Sequence, residues 1–252
     1  MPEVSAVLIA QNEEERIETA IRSLAFCDEI VVVDGGSRDQ TAAKVRALGA
    51  RLLERTFDGF VAQKNFGLDH AKNDVVLSLD ADEEVSHALR GQIERLTEGD
   101  TLPRAGFRIP RVTSYMGREI RVTDWYPDWQ LRLFDRRVGR FTGDLVHESV
   151  RVDGPIGRLS GELIHRPYRD EADHLRRIDR YTSLWAEAAY RRGKRSTPIV
   201  GEAAAAFAFF RNYILKRGFL LGGLGFRISR LNARYVLEKF AKLKALESSR
   251  AA

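Results

Sequence analysis

Residues Val75–Ser86 read VVLSLDADEEVS. Val75, Val76, Leu77 and Leu79 run with little alternation into Asp80, Asp82, Glu83 and Glu84. An apolar run of this kind, bounded by polar residues, predicts a strand buried on both faces. Carboxylates crowded at its end repel and raise one another's proton affinity unless a cation intervenes. A divalent ion that prefers hard oxygen ligands, Mg²⁺ or Mn²⁺, resolves the repulsion and can bridge a diphosphate. Asp80 and Asp82, at i and i+2, suit one turn that reaches both an ion and a nearby ribose or phosphate. Glu83 and Glu84 have a simpler reading: they favour the N-terminal end of the next helix.

Working upstream, SAVLIA (Ser5–Ala10) and EIVVVD (Glu29–Asp34) are further buried-strand runs, and RLLER at 51–55 is a weaker one. Between them, QNEEERIETAIRSL sets Ile17, Ile21 and Leu24 at helical spacing. GGSRDQTAAKVRALG predicts a second helix, capped by Ser37 or Asp39 and ended by Gly49. FDGFVAQKNFGLDHA reads as a third. The fourth follows the acidic run, with Ser86 as cap, Leu89, Ile93 and Leu96 on one face, and Gly99 at its stop. Alternating short strands and helices predict a parallel sheet covered by helices. Ligands of such sheets bind beyond the carboxyl ends of the strands, where QNEE, DGGSRD and DADEE should converge. DGGSRD fits neither GxGxxG nor GxxxxGK[ST], which disfavours dinucleotide binding.

From Thr101 the pattern becomes Arg-rich alternation, as in strands with one polar face. Trp125, Tyr126 and Trp129 flank Asp128. Their flat rings suit the C–H faces of sugars, and an aromatic setting would desolvate Asp128 and raise its basicity. LVHES offers Glu148 as a rival base and His147 as a further metal ligand. His165 is less compelling, while His70, His87 and His174 read as surface or helix residues. Trp125 and Trp129 also have the i+4 spacing of core residues.

The 252 residues suffice for one large domain, or a domain with a helical appendage. The single cysteine, Cys27, excludes an internal disulfide framework and suits a reducing compartment. The N-terminus lacks a basic region ahead of its short apolar run, and no stretch of 18 apolar residues appears, so neither signal peptide nor membrane span is expected. Residues 1–100 carry 11 Lys/Arg against 20 Asp/Glu, a net of −9, so with +5 overall the remainder carries +14. The acidic part suits metal ions, and the basic part suits phosphates or anionic lipid. From Asp170 the chain reads helical, and AAAAFAFFRNYILKRGFLLGGLGFRISRLNARYVLEKFAKLKALE is basic and apolar throughout. Such a segment either lies in a membrane interface or packs on the preceding domain with a solvated basic face. No nucleic-acid-binding motif accompanies the charge, so no nucleic-acid partner is expected.

AVLIAQNEEERI, IVVVDGGSRDQTAAKV and AQKNFGLDHAKNDVVLSLDADEEV resemble the family 2 glycosyltransferases of GT-A fold. WYPDWQLRLFDRR and GDLVHESVRVDG resemble the subgroup that extends the inner core of lipopolysaccharide. The resemblance implies an α/β fold: a GT-A, Rossmann-like, mostly parallel sheet flanked by helices, with a C-terminal helical extension. The expected division is 1–165, with a nucleotide-sugar and metal half (1–100) and an acceptor half (101–165), followed by a basic amphipathic extension (166–252). It implies that Gln11, Glu13, Asp34, Lys64 and Asp80 face the nucleotide sugar, and that Asp82 and Asp80 hold the divalent metal, with His147 as a candidate further ligand. Lys64 stands where the family usually has Arg, which loses bidentate geometry. Asp128 falls at the aspartate of an ED motif, with Pro127 in place of Glu, and is the expected base, with Glu148 as alternative. Trp125, Trp129, Gln130 and Arg132 would serve acceptor and diphosphate, Gln130 and Arg132 as a shortened QxxRW motif.

The implied activity is metal-dependent, inverting transfer of a sugar, by resemblance glucose from a UDP-sugar, to a lipid-anchored core saccharide. The implied location is the cytoplasm, at the anionic inner face of the cytoplasmic membrane. Two alternatives are a polyprenyl-phosphate glycosyltransferase and a non-enzymatic basic peripheral membrane protein. Bland readings stay open for Asp34 as a turn residue, Gln11 as a helix cap and Lys64 as a solvated charge.

Overall fold

The structure, a computed structural model, describes residues 2–144 and 147–251, with the side chains of residues 144, 147, 198, 250 and 251 outside that description. The elements in chain order are β1 (Val4–Ala10), α1 (Ile17–Ser23), β2 (Glu29–Asp34), α2 (Thr41–Ala47), β3 (Arg51–Glu54), α3 (Phe60–His70), β4 (Val75–Asp80), β5 (Glu83–Val85) and α4 (His87–Leu96). There follow β6 (Gly106–Tyr115), β7 (Arg118–Ile120), β8 (Asp128–Asp135), β9 (Gly139–Asp144), β10 (His147–Val152), β11 (Ile156–Arg158) and β12 (Leu163–His165). Three long helices close the chain: α5 (Glu171–Arg191), α6 (Pro198–Phe210) and α7 (Gly223–Ala251).

Two compact units emerge, residues 1–114 with 128–166, and residues 115–127 with 167–252. In the first, the strands run β3-β2-β1-β4-β8-β6-β12-β5. β3, β2, β1 and β4 are parallel; β8 is antiparallel to both of its neighbours, and β5 is antiparallel to β12. β9 and β10 form a separate hairpin. The apolar runs fill both faces of the parallel half. Ala6, Leu8, Val32 and Leu77 join the core that includes Ile17, Val45, Leu89 and Ile93, whereas Val7, Val31 and Val76 pack with Leu68 of α3 and Ala71 just beyond it. Gly67 is what lets α3 lie so close, since a Cβ there would sit 2.5 Å from Val7 Cγ1.

The register aligns the polar strand ends. Ala10 pairs with Asp34 and Ile9 with Asp80, so β1, β2 and β4 finish side by side. Ser86 caps α4 as its sequence predicts, accepting from Leu89 N at 3.3 Å. Two local expectations change. The acidic run does not enter α4 directly, because Glu83–Val85 first form β5 beside β12. Neither Ser37 nor Asp39 occupies the N-cap of α2, which is Gln40; Ser37 instead donates to Asp34, and Asp39 Oδ1 accepts from Thr41 N at 3.0 Å.

The second unit packs α5, α6 and α7 with the segment 115–127, which includes β7. Ile178, Ile228 and Leu231 bury against Tyr115 and Ile120, and Leu243 against Ala186 and Ala189. His174 is buried rather than superficial. It stacks on Tyr168 at 3.9 Å, its Nδ1 lies 3.1 Å from Tyr115 Oη, and burial pushes its pKa down to about 4.

Candidate active site

At the end of β4, Asp80 is held by two cations from distant parts of the first unit. Lys64 Nζ, from α3, lies 2.8 Å from Oδ1, and Arg132 Nη2, from β8, lies 2.5 Å from Oδ2. Lys64 is 2% exposed and Arg132 4%, so neither is a solvated surface charge. Burial would push the Asp80 carboxyl up, but Arg132 and Lys64 outweigh it and hold the group well below the usual carboxylate range. Burial likewise disfavours the Arg132 cation, yet Asp80 and Glu83 together raise its pKa.

Glu83 corrects the sequence reading. It is 1% exposed, and its carboxylate organises the acidic turn rather than a helix end. Oε1 accepts from Arg132 Nη2 at 2.6 Å and from Arg111 Nη1 at 2.8 Å, while Oε2 accepts from the backbone N of Asp80 at 3.0 Å. Arg111, on β6, then forks onto Asp128 Oδ2 through Nε (2.9 Å) and Nη2 (2.5 Å). Gln130 Nε2 donates to Asp128 Oδ1 at 2.7 Å. One chain of charges thus runs Lys64–Asp80–Arg132–Glu83–Arg111–Asp128. The aromatic, desolvated setting expected for Asp128 is replaced by an arginine fork, because β6 presents Arg111 beside β8 where Arg111 and Asp128 pair in register.

Asp82 sits in a second, smaller group. Its Oδ2 lies 3.4 Å from His165 Nε2 and 3.5 Å from Arg16 Nη1, and Arg16 Nε is 3.1 Å from Glu13. Burial pushes the Asp82 carboxyl up, but His165 and Arg16 bring it below its ordinary value. His165, undervalued in the sequence, arrives because β12 runs antiparallel to β5 and sets it opposite Glu83. Two ligand atoms about 3.4 Å apart can share one ion at ordinary coordination distances. Among the described residues no three His, Cys, Asp or Glu side chains cluster to cage an ion. The donor set therefore fits a hard divalent ion that takes its remaining ligands from a diphosphate and water, the usual habit of Mg²⁺.

Asp34 is buried and ties its own loop, accepting from Gly36 N (3.1 Å) and Ser37 N (2.8 Å). Gln11 is exposed and donates through Nε2 to Gly35 O at 2.9 Å, bracing the ends of β1 and β2 together. Glu148, on β10, contacts Lys64 Nζ at 3.3 Å and so shares a cation with Asp80. The His147 side chain lies outside the described residues. The two tryptophans part company. Trp129 is covered by Arg158, whose guanidinium lies 5.1 Å from the ring centroid, whereas Trp125 belongs to the second unit and donates to Asn232 Oδ1 at 3.1 Å.

The sequence profile of Glycosyl transferase family 2 matches residues 5–148, more than half of the chain. A glycosyltransferase of Rickettsia bellii is 28% identical over 96% of this chain and 86% of its own. The lipopolysaccharide core biosynthesis glycosyltransferase LpsC of Rhizobium meliloti is 33% identical over 60% of this chain and 58% of its own. Among solved structures, the mannosyltransferase PcManGT of Pyrobaculum calidifontis, in complex with GDP-Man and Mn²⁺, superposes with a TM-score of 0.54 over 96% of this chain and 87% of its own, at 19% identity. The fold is thus the GT-A-like one, a mainly parallel sheet flanked by helices with a helical C-terminus. A parallel sheet whose acidic strand ends meet at Asp80 and Asp82, within a matching family profile, settles the assignment: the chain belongs to glycosyl transferase family 2 and is a glycosyltransferase.

Proposed function

We propose that the protein transfers a sugar, with inversion, from a nucleoside-diphosphate sugar to a lipid-anchored saccharide of the lipopolysaccharide core at the anionic cytoplasmic face of the membrane. Glucose from a UDP-sugar is the donor we assign. The observation that carries the reading is the pairing of two buried cations, Lys64 and Arg132, with Asp80 beside the Asp82–His165 group. The partial match to a core biosynthesis glycosyltransferase supports the acceptor class, and the basic second unit supports the membrane setting.

Asp82 and His165 would hold the divalent ion, Mg²⁺ or Mn²⁺, which when bound neutralises charge on the departing diphosphate. Lys64 and Arg132 are positioned to turn from Asp80 toward that diphosphate as its charge develops. Asp34 and Gln11 shape the floor for the nucleoside, and Glu13 holds Arg16 beside Asp82. Glu148 is the base we assign for the acceptor hydroxyl. Its single described contact is the 3.3 Å approach of Lys64, whereas both oxygens of Asp128 are engaged by Arg111 and Gln130. Asp128, Gln130 and Trp129 then form the acceptor side, with Arg158 stacked on Trp129.

A donor screen tests the reading: UDP- and GDP-sugars with extracted lipopolysaccharide, with and without Mn²⁺. Transfer from UDP-glucose that requires the ion is the expected result. Turnover only with GDP-mannose would overturn the donor, and transfer only to polyprenyl phosphate would overturn the acceptor.

A further inference from the structure

The end of the helical unit between α6 and α7 is built with its polarity inverted. The last turn of α6 passes into a π turn, Arg211–Leu215, and then a 3-10 turn, Gly218–Leu221. Along it Phe207, Phe210, Ile214, Leu215, Phe219 and Leu220 are all solvent-exposed, from 44% for Ile214 to 62% for Leu220. The buried centre is polar. Asn212 is 1% exposed; its Nδ2 donates to Ala208 O (2.9 Å) and Asp124 Oδ2 (2.8 Å), and its Oδ1 accepts from Asp124 N (2.9 Å) and Asn232 Nδ2 (2.9 Å). Thr123 N adds a bond to Lys216 O at 2.9 Å.

These bonds make the turn a fixed surface. Its return onto α7 is so close that a Cβ on Gly225 would sit 1.8 Å from Gly218 O, and a Cβ on Gly218 would sit 2.8 Å from Asn212 O. Six large apolar side chains held outward make an exposed surface of the kind that marks interaction sites.

Charge identifies that partner. Lys216 and Arg217 lie between Leu215 and Phe219, and among the described residues neither has a carboxylate partner. Between residues 198 and 222 the one acidic residue is Glu202. Apolar side chains bracketed by unpaired cations match the boundary between acyl chains and anionic headgroups. A two-fold pairing of this patch would gather two copies of Lys216 and Arg217 with only Glu202 to offset them, which disfavours self-association. α7 adds the exposed Phe226 and Leu237, while its Ile228, Leu231 and Leu243 are buried inside the unit.

We propose that this turn inserts into the interfacial layer of an anionic phospholipid bilayer, Leu215, Phe219 and Leu220 entering the acyl boundary while Lys216 and Arg217 meet lipid phosphates. The proposal rests on the membrane setting given above and names the element that makes it. The test uses the full chain with phosphatidylcholine vesicles that contain or lack phosphatidylglycerol. Phe219→Trp is floated with vesicles of brominated lipid, and wild type subtracts the signal of the three native tryptophans. Expected are phosphatidylglycerol-dependent flotation, quenching of the new tryptophan, and a flotation loss of ~10-fold or more in Phe219→Ser/Leu220→Ser. Near-UV circular dichroism verifies that the double variant is folded. Flotation without quenching, unaffected by the double variant, would overturn insertion yet leave surface docking standing. No flotation of wild type would overturn both. A double variant that changes sedimentation rather than flotation would assign the surface to a second copy and overturn the lipid proposal.

Discussion

The strand-end cluster of the first unit and the turn after α6 in the second handle their charged and apolar groups in opposite ways. At the strand ends Lys64, Asp80, Glu83, Arg132, Arg111 and Asp128 pair with one another, with Lys64 and Arg132 almost wholly buried and Arg132 Nε left without a hydrogen-bond partner. At the turn, Lys216 and Arg217 lack carboxylate partners among the described residues, and the large apolar side chains face water. The first arrangement is closed, so a ligand enters only by exchange, taking a cation that a carboxylate now holds. The second is open, and whatever meets it adds contacts without breaking any. The contrast teaches that matched charges mark the interior logic of a site, while unmatched groups mark the surface where a partner must be sought.

The sharpest way to break the account of the closed region is at its two rival carboxylates. Glu148→Gln should lower kcat by ~10²–10⁴-fold with donor affinity preserved, as loss of a general base does. Asp128→Asn should act mainly on acceptor KM. Steady-state kinetics with both substrates varied reads the difference, and the opposite pattern would exchange the two roles. Asp82→Asn and His165→Ala should each remove Mn²⁺-dependent stabilisation by UDP in thermal denaturation, with turnover down at least ~10²-fold. Turnover that stays normal at low Mn²⁺ would remove Asp82 from the metal.

Glu83→Ala strands Arg132 and Arg111 with a lost partner and should destabilise the fold by about 3–5 kcal/mol, as breaking a buried ion pair does. Urea denaturation measures this, and a small change would mean the two arginines re-pair without it. The pH dependence follows from Asp80. Its folded pKa is depressed, so its contribution to stability is complete above the unfolded value of ~4 and drains away as pH falls through the folded one. Asp80→Asn should flatten that acid limb in a denaturation series and leave the profile above pH ~5 parallel to wild type. The smallest effect belongs to the open region. Lys216→Gln alone should weaken binding to anionic vesicles by about 1 kcal/mol, roughly fivefold, and reduce its salt sensitivity.

What was legible in the sequence was local or periodic. The runs of β1, β2 and β4 announced a parallel sheet because burial on both faces leaves no alternation, and Ser86 announced α4 because a cap acts within three residues. The placing of Asp80 at the end of β4, with Asp82 two residues on, was legible because the apolar run stops there. Glu83 was misread because its partners, Arg111 and Arg132, are 28 and 49 residues away. His165 gained meaning only when β12 was set beside β5. The spacing of Trp125 and Trp129 suited either a sugar platform or a core, and the structure puts Trp125 in a packed helical unit. Around Phe207–Leu220 the apolar residues sit on every side of the helix, so no periodicity told the exposed face from the buried one.

Gly67 carries a mechanical consequence. It lies on α3 three residues after Lys64, and it spaces that helix from Val7 on the face of β1. Lys64 therefore reaches Asp80 at a distance set from behind, by how little occupies position 67. The smallest side chain there acts as a shim: its Cβ would lift the helix from the sheet and withdraw the cation from the strand end. The residue that calibrates the grip of this cluster is one that makes no polar contact with it, so substitutions that loosen the cluster need not touch it.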